Sequence, residues 1–238
     1  MARSIFPGFP KEAVAFFRGL ARNNNRDWFL PRKAVFDEKV KEPMRQLVEA
    51  LNGEIRRFAP LHVADPNKAI YRIYRDTRFS KDKKPYKEHL AAHFPRQGMG
   101  RDGAAGYYLA VSHKSVAVGG GVYMPSPDML RTLRNHIAER PAEFRKLIGS
   151  KIVRELFGEM HGDALSRVPK GFAADHPVAD LLRYKQYVFY VDMPPDLVTS
   201  PELFGEVRKR FQALTPLVNF LNAPLAAERP KARVEDLL

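Results

Sequence analysis

The chain has 238 residues, 45% of them hydrophobic, with one tryptophan and no cysteine; it can bury a substantial core, and disulfides, thiolate zinc sites and a cysteine nucleophile are excluded. Its formal charge of +13 is uneven, with 23 lysines and arginines against 12 carboxylates in residues 1–120 and 17 against 15 in residues 121–238, a field that favours polyanions or phosphorylated ligands. No apolar run approaches the ~20 residues of a membrane span, and the opening Ile5-Phe6-Pro7-Gly8 after Arg3 is no secretory leader, so the expectation is a soluble cytoplasmic protein without a membrane partner.

Helical patterning comes first. Pro10 suits a first turn, and Val14, Phe17 and Ala21 with Ala13, Phe16 and Leu20 form a wide apolar stripe. Asn23-Asn24-Asn25 should end that helix, since asparagine tolerates a left-handed cap, and Trp28 and Phe29 return to the core. A second pattern follows Pro31, with Pro43 expected to kink or restart it and Asn52-Gly53 to weaken its last turns. Strand signals begin at Ile70, where alternation sets Tyr71, Ile73 and Arg75 against Arg72, Tyr74 and Asp76. Residues 88–95 read as another strand, and 106–111 with 115–122 as a hairpin whose Leu109, Val111, Val116 and Val118 face inward. Ser126-Pro127-Asp128 starts a return to helix, residues 188–191 read as a strand, and Ser200-Pro201-Glu202 opens a final helix, bent or broken near Pro216. The reading is a single α+β domain over 1–225, a central mainly antiparallel sheet flanked by N-terminal and C-terminal helices, with a polar tail over 226–238.

The most informative stretch runs from Arg72 to Lys87. It carries seven cations against the two carboxylates Asp76 and Asp82, with Ile73, Tyr74, Phe79 and Tyr86 threaded between. A core strand has no room for so many unpaired cations, so the pattern predicts a strand leading into a rigid loop that offers charge to an anion. Arg72, Arg75 and Arg78 share a face only if the chain bends near Asp76. They then act as a phosphate or carboxylate clamp, or form an internal arginine–aspartate network that fixes the loop. Asp76 is the candidate general base or magnesium ligand, with pairing to arginine as the alternative. Lys170, Arg183 and Lys185 are candidates to fold back beside this motif. Gly119-Gly120-Gly121 permits close backbone approach, to a ligand or to a packing neighbour. His89 and His93, four apart, share one face but lack the third protein ligand of a zinc site.

Arg72-x-x-Arg75-Asp76-x-Arg78-Phe79 followed by Asp82-Lys83-x-x-Tyr86 resembles the signature of a bacterial family, domain of unknown function family 2461. Residues 23–29, the glycine triplet, Pro169-Lys170-Gly171-Phe172 and Leu181-Leu182-Arg183-x-Lys185 are similar to its other motifs. The resemblance implies a shared site and no particular reaction.

The leading expectation is a phosphate-bearing or other anionic ligand in a pocket on the sheet. Arg72, Arg75, Arg78 and Lys83 would neutralise it, Asp76 would orient the arginines, and Tyr86 would bond or stack; any chemistry would be phosphoryl or phosphodiester transfer. The alternative is a noncatalytic nucleic-acid-binding module in which the interleaved aromatics stack bases. A third reading is a structural protein whose motif locks its own fold. No pattern nominates a cofactor, a metal or an oligomeric state.

Overall fold

The computed structural model describes residues 6–100 and 102–227. Its helices are α1 (Lys11–Arg22), α2 (Arg26–Phe29), α3 (Lys33–Val35), α4 (Glu42–Phe58), α5 (Pro66–Ala69), α6 (Pro127–Glu139), α7 (Pro141–Ile148), α8 (Lys151–Phe157), α9 (Ala179–Leu182) and α10 (Leu203–Ala227). Four strands, β1 (His89–Phe94), β2 (Gly106–Ser112), β3 (Val116–Val122) and β4 (Tyr187–Met193), make one antiparallel sheet in the order β1-β2-β3-β4. This is the α+β arrangement that the periodicity predicts, although the expected polar tail falls mostly on residues 228–238, outside the described residues. Among those described, no helix is long and apolar enough to cross a membrane.

Period-2 alternation sorts the sheet into two faces. The expected inward set, Leu109, Val111, Val116 and Val118, is buried. Beside it Tyr107 and Phe94 meet α10, their rings 4.9 Å and 5.2 Å from that of Phe211. Tyr107 Oη lies 3.0 Å from Thr215 Oγ1 on α10, and burial pushes this phenol up to about 12, so it stays protonated. Helix α10 is enclosed in turn by α4, α6 and α7. That enclosure explains why α10 runs unbroken through Pro216 and Pro224, where the sequence led us to expect a bend or a break near Pro216. An interior proline costs about 3 kcal/mol, and burial of Leu214, Leu217, Val218 and Leu221 at about 1.5–3 kcal/mol each outweighs it.

The second helical pattern is distorted rather than restarted at Pro43, where a kink or restart was expected. From Lys33 to Phe58 the chain stays helical by opening a π-helical turn over Phe36–Lys41. Pro43 has no N–H and its ring crowds the carbonyl four residues earlier, so a widened turn just before it relieves both faults. Asn52 does not weaken the helix end, because its amide faces inward and bonds both backbone groups of Ala64, at 2.6 and 3.0 Å. At the end of α1, Asn23 caps with its side chain, Nδ2 donating to Gly19 O at 3.1 Å, and its φ of −134° is not left-handed.

Both sheet edges are extended by irregular segments. Residues 70–75 run antiparallel beside β1 and the chain before it. The Tyr71 amide donates to Ala91 O, the Lys87 amide to Ile73 O and the Arg75 amide to Pro85 O, all at 2.8–2.9 Å. Two residues on one side span four on the other between the first two bonds, so a bulge replaces the uniform strand. Its twist puts Ile73 in the core and Tyr71 on the open face, so these two do not share the face that simple alternation assigned. At the far edge, residues 161–165 pair with 183–188.

Candidate functional site

The basic motif folds as a finger rooted in the core. Tyr86 is its root, only 2% exposed and stacked on Phe29 at 4.1 Å. Asn24 bonds both of its backbone groups, donating to Tyr86 O at 3.0 Å and accepting from its amide at 3.1 Å. Tyr86 therefore does not stack on or bond a ligand, as the sequence suggested; it anchors the loop. Asn25 caps α2 by accepting from the Trp28 amide, so the asparagine triplet ends one helix, pins the finger and starts the next helix.

Beyond the root the loop braces itself. Asp76 Oδ1 accepts from the Arg78 amide and Asp82 Oδ1 from the Lys84 amide, at 3.2 and 3.0 Å, the self-capping turns that aspartate favours. Arg78 grips Asp76 through Nε and Nη2, Arg75 Nη1 reaches Asp82 at 2.7 Å, and Lys83 Nζ donates to Thr77 O at 3.0 Å. Arg72 makes no hydrogen bond among the described residues, though its charge acts on Asp76. The hydrogen bond from Arg78 is the largest cause holding the Asp76 carboxyl down to about 2. A carboxylate held that low is a poor general base; its geometry is that of an arginine partner. Exposed ion pairs of this kind contribute little, so a polyanion can exchange with them.

The concavity lies elsewhere, on the sheet face that α10 leaves open. A groove of about 410 Å³ runs over the strands. Register places His93, Tyr108, Gly119 and Tyr190 in one cross-strand row, with Tyr71 beside His93 and His161 4.2 Å from the Tyr190 ring. Gly119 interrupts that row of rings, and Gly106, Ala117 and Gly121 complete a floor without bulk. Tyr108 and Tyr190 thus stand two strands apart on the same face, their backbones about 9.6 Å from each other. Burial, with the neighbouring Tyr71, Asp192 and Tyr123, pushes the Tyr108 phenol up to about 12, so it remains a donor. Tyr123, 67% exposed, closes one end, next to Met124 at φ 52°.

Packing requires glycine at 119 and 121 and leaves little room for a side chain at 120. A Cβ on Gly119 would sit 2.5 Å from Phe189 O, one on Gly120 3.2 Å from Leu214, and one on Gly121, at φ +125°, 2.1 Å from Tyr187 O. The packing reading of Gly119-Gly120-Gly121 holds, and the same lack of side chains opens the groove.

Lys170, Arg183 and Lys185 do not join the basic finger. Arg183 Nε donates to Leu165 O at 2.6 Å, and Arg183 and Lys185 lie on the segment that extends the β4 edge. The finger rises at the β1 edge, beyond the end where His89 pairs with Ser112, whereas Lys185 precedes Tyr187 at the opposite end. From the strand spacing and rise, the two clusters are on the order of 30–40 Å apart, with the groove between them. His89 and His93 do share the open face of β1, and no group of three or more metal-ligating side chains occurs among the described residues.

A family model described as a conserved hypothetical protein, DUF2461, matches residues 12–220. The chain belongs to that family. No curated protein and no solved structure matches it. In this DUF2461 chain the residues that sequence reasoning passed over are Tyr108, Tyr190, His161 and Tyr123. The available signal was the run of small residues at alternate positions, Ala117, Gly119 and Gly121, which leaves one face of the strand without side-chain bulk.

Proposed function

We propose that this protein binds single-stranded nucleic acid across the open sheet face, bases in the aromatic groove and backbone over the cations at its two corners. The observation that carries this reading is an aromatic slot on an open sheet face whose opposite corners carry the basic finger and Arg183 with Lys185. Among the described residues no lysine or arginine lines the slot, which suits an uncharged base better than a phosphate. A base lying over Gly119 would have the Tyr108 ring on one side and the Tyr190 ring on the other. Stacking of this kind is worth about 1–3 kcal/mol per base and tolerates any sequence. Open antiparallel sheets bearing aromatics are one general platform for it. Lys87 Nζ, 5.1 Å over the Tyr71 ring, joins the groove to the finger.

Fluorescence anisotropy with a labelled thymidine tract of about 12 nucleotides, within single-strand site sizes, tests the reading. Affinity should fall steeply with salt, and Tyr108→Ala and Tyr190→Ala should each weaken binding about 5- to 100-fold. Absence of binding at low salt, or indifference to both substitutions, would rule it out. The second reading, a phosphorylated small molecule clamped at the basic motif, is favoured by Arg72, whose fork has no hydrogen bond of its own among the described residues. It calls for a thermal shift with nucleotides or sugar phosphates that Arg72→Ala removes.

A further inference from the structure

We infer that Phe79 end-caps a base stack, so that the protein prefers a single strand joined to a duplex over the same strand alone; this rests on the nucleic-acid reading above. Phe79 is 94% exposed, more than any other large apolar side chain among the described residues. It stands on a loop rooted by the buried Tyr86 and turned by Asp76, Asp82 and the bond from Lys83 to Thr77, which present the ring outward. The Arg78 guanidinium lies 5.8 Å from its ring centroid, a long cation–π approach that leaves the ring open to solvent. A single apolar ring presented in this way can cover the face of one terminal base or base pair.

Charge identifies the partner. Asp76 and Asp82 are engaged by Arg78 and Arg75, which leaves the ammonium groups of Lys81 and Lys83, both on exposed residues, without a carboxylate partner. An apolar ring ringed by cations complements the end of a nucleic-acid stack, where an apolar base face is bordered by phosphates. Position agrees: the finger rises where Lys87 covers Tyr71, so a strand leaving the groove over Tyr71 meets it.

The full chain should be titrated with a thymidine tract of about 12 nucleotides, with that tract as the 5′ or the 3′ tail of a stable hairpin, and with the blunt hairpin. One tailed hairpin should bind about 5- to 100-fold more tightly than the free tract, as one added stacking contact gives. Phe79→Ala should abolish that preference without changing affinity for the tract, and Phe79→Trp should retain it. Equal affinity for tract and tailed hairpins, or a preference that survives Phe79→Ala, would overturn the capping role while leaving the groove reading intact. Failure to bind any of these nucleic acids would remove both. Phe79-dependent binding to phosphatidylglycerol vesicles without a junction preference would also overturn it, in favour of a lipid surface.

Discussion

His62 is 1% exposed, yet its ring is bonded at both nitrogens. Nδ1 lies 3.2 Å from Phe94 O, and a carbonyl only accepts, so Nδ1 carries the hydrogen and Nε2 accepts from Asn222 Nδ2 at 3.4 Å. Asn222 in turn bonds both backbone groups of Ala105, at 2.8 and 3.1 Å, tying α10 to the entry of β2. Burial lowers the His62 pKa, helped by the Arg96 charge. The unfolded chain therefore takes up a proton near pH ~6.5 that the folded state refuses. This stabilisation is complete above that value and is lost as pH falls below it. His89, His113 and His136 are lowered as well and act in the same direction. Urea unfolding between about pH 7 and pH 5 should show falling stability, with a shallower fall in His62→Gln; an unchanged slope would mean the ring is not held neutral. Single residues were only partly legible. Asp76 and the arginines announced themselves by charge, whereas Asn24 and His62 act through partners 62 and 160 positions away, which no local pattern reveals.

At the scale of elements, apolar periodicity placed the strands and most helices because burial of one face is what stabilises them. It failed at breakers. Pro43 and Pro216 sit inside continuing helices since tertiary packing outweighs a local fault, and the strand expected from Ile70 became a bulged edge. Glycine separates the two regimes. Gly53 is exposed within α4, and nothing lies within 4 Å of a Cβ placed on it. Gly53→Ala should stabilise by about 0.5–1 kcal/mol through reduced unfolded-state freedom. Gly121→Ala should cost at least about 2 kcal/mol, combining a positive φ with overpacking against the β4 backbone. Thermal denaturation of both variants checks the pair; similar shifts would show that β3 and β4 are less tightly apposed than described.

At the scale of the whole molecule, the two basic clusters occupy opposite corners of the sheet, so ligand length becomes a measurable variable. At a duplex-like rise of about 3.4 Å per nucleotide, a 4-mer covers roughly 14 Å and a 12-mer roughly 40 Å. Only the longer strand can reach both corners. Lys83→Ala and Lys185→Ala should each lower the salt slope by about one for the 12-mer. For the 4-mer no more than one of them should matter. Equal effects at both lengths would mean that the clusters do not bracket one track.

Residue order by itself determined the α+β class, the hairpin and its inward side chains, the family, and a cation-rich segment too charged to bury. Those follow from local periodicity and composition, which need no knowledge of distant partners. Only the tertiary structure decided that Tyr86 points inward, that α10 covers one sheet face and leaves the other open, and that Tyr108 and Tyr190 confront each other across Gly119. Alternation tells which side chains share a face, but which face is covered, and which residues meet across it, depend on long-range register and packing.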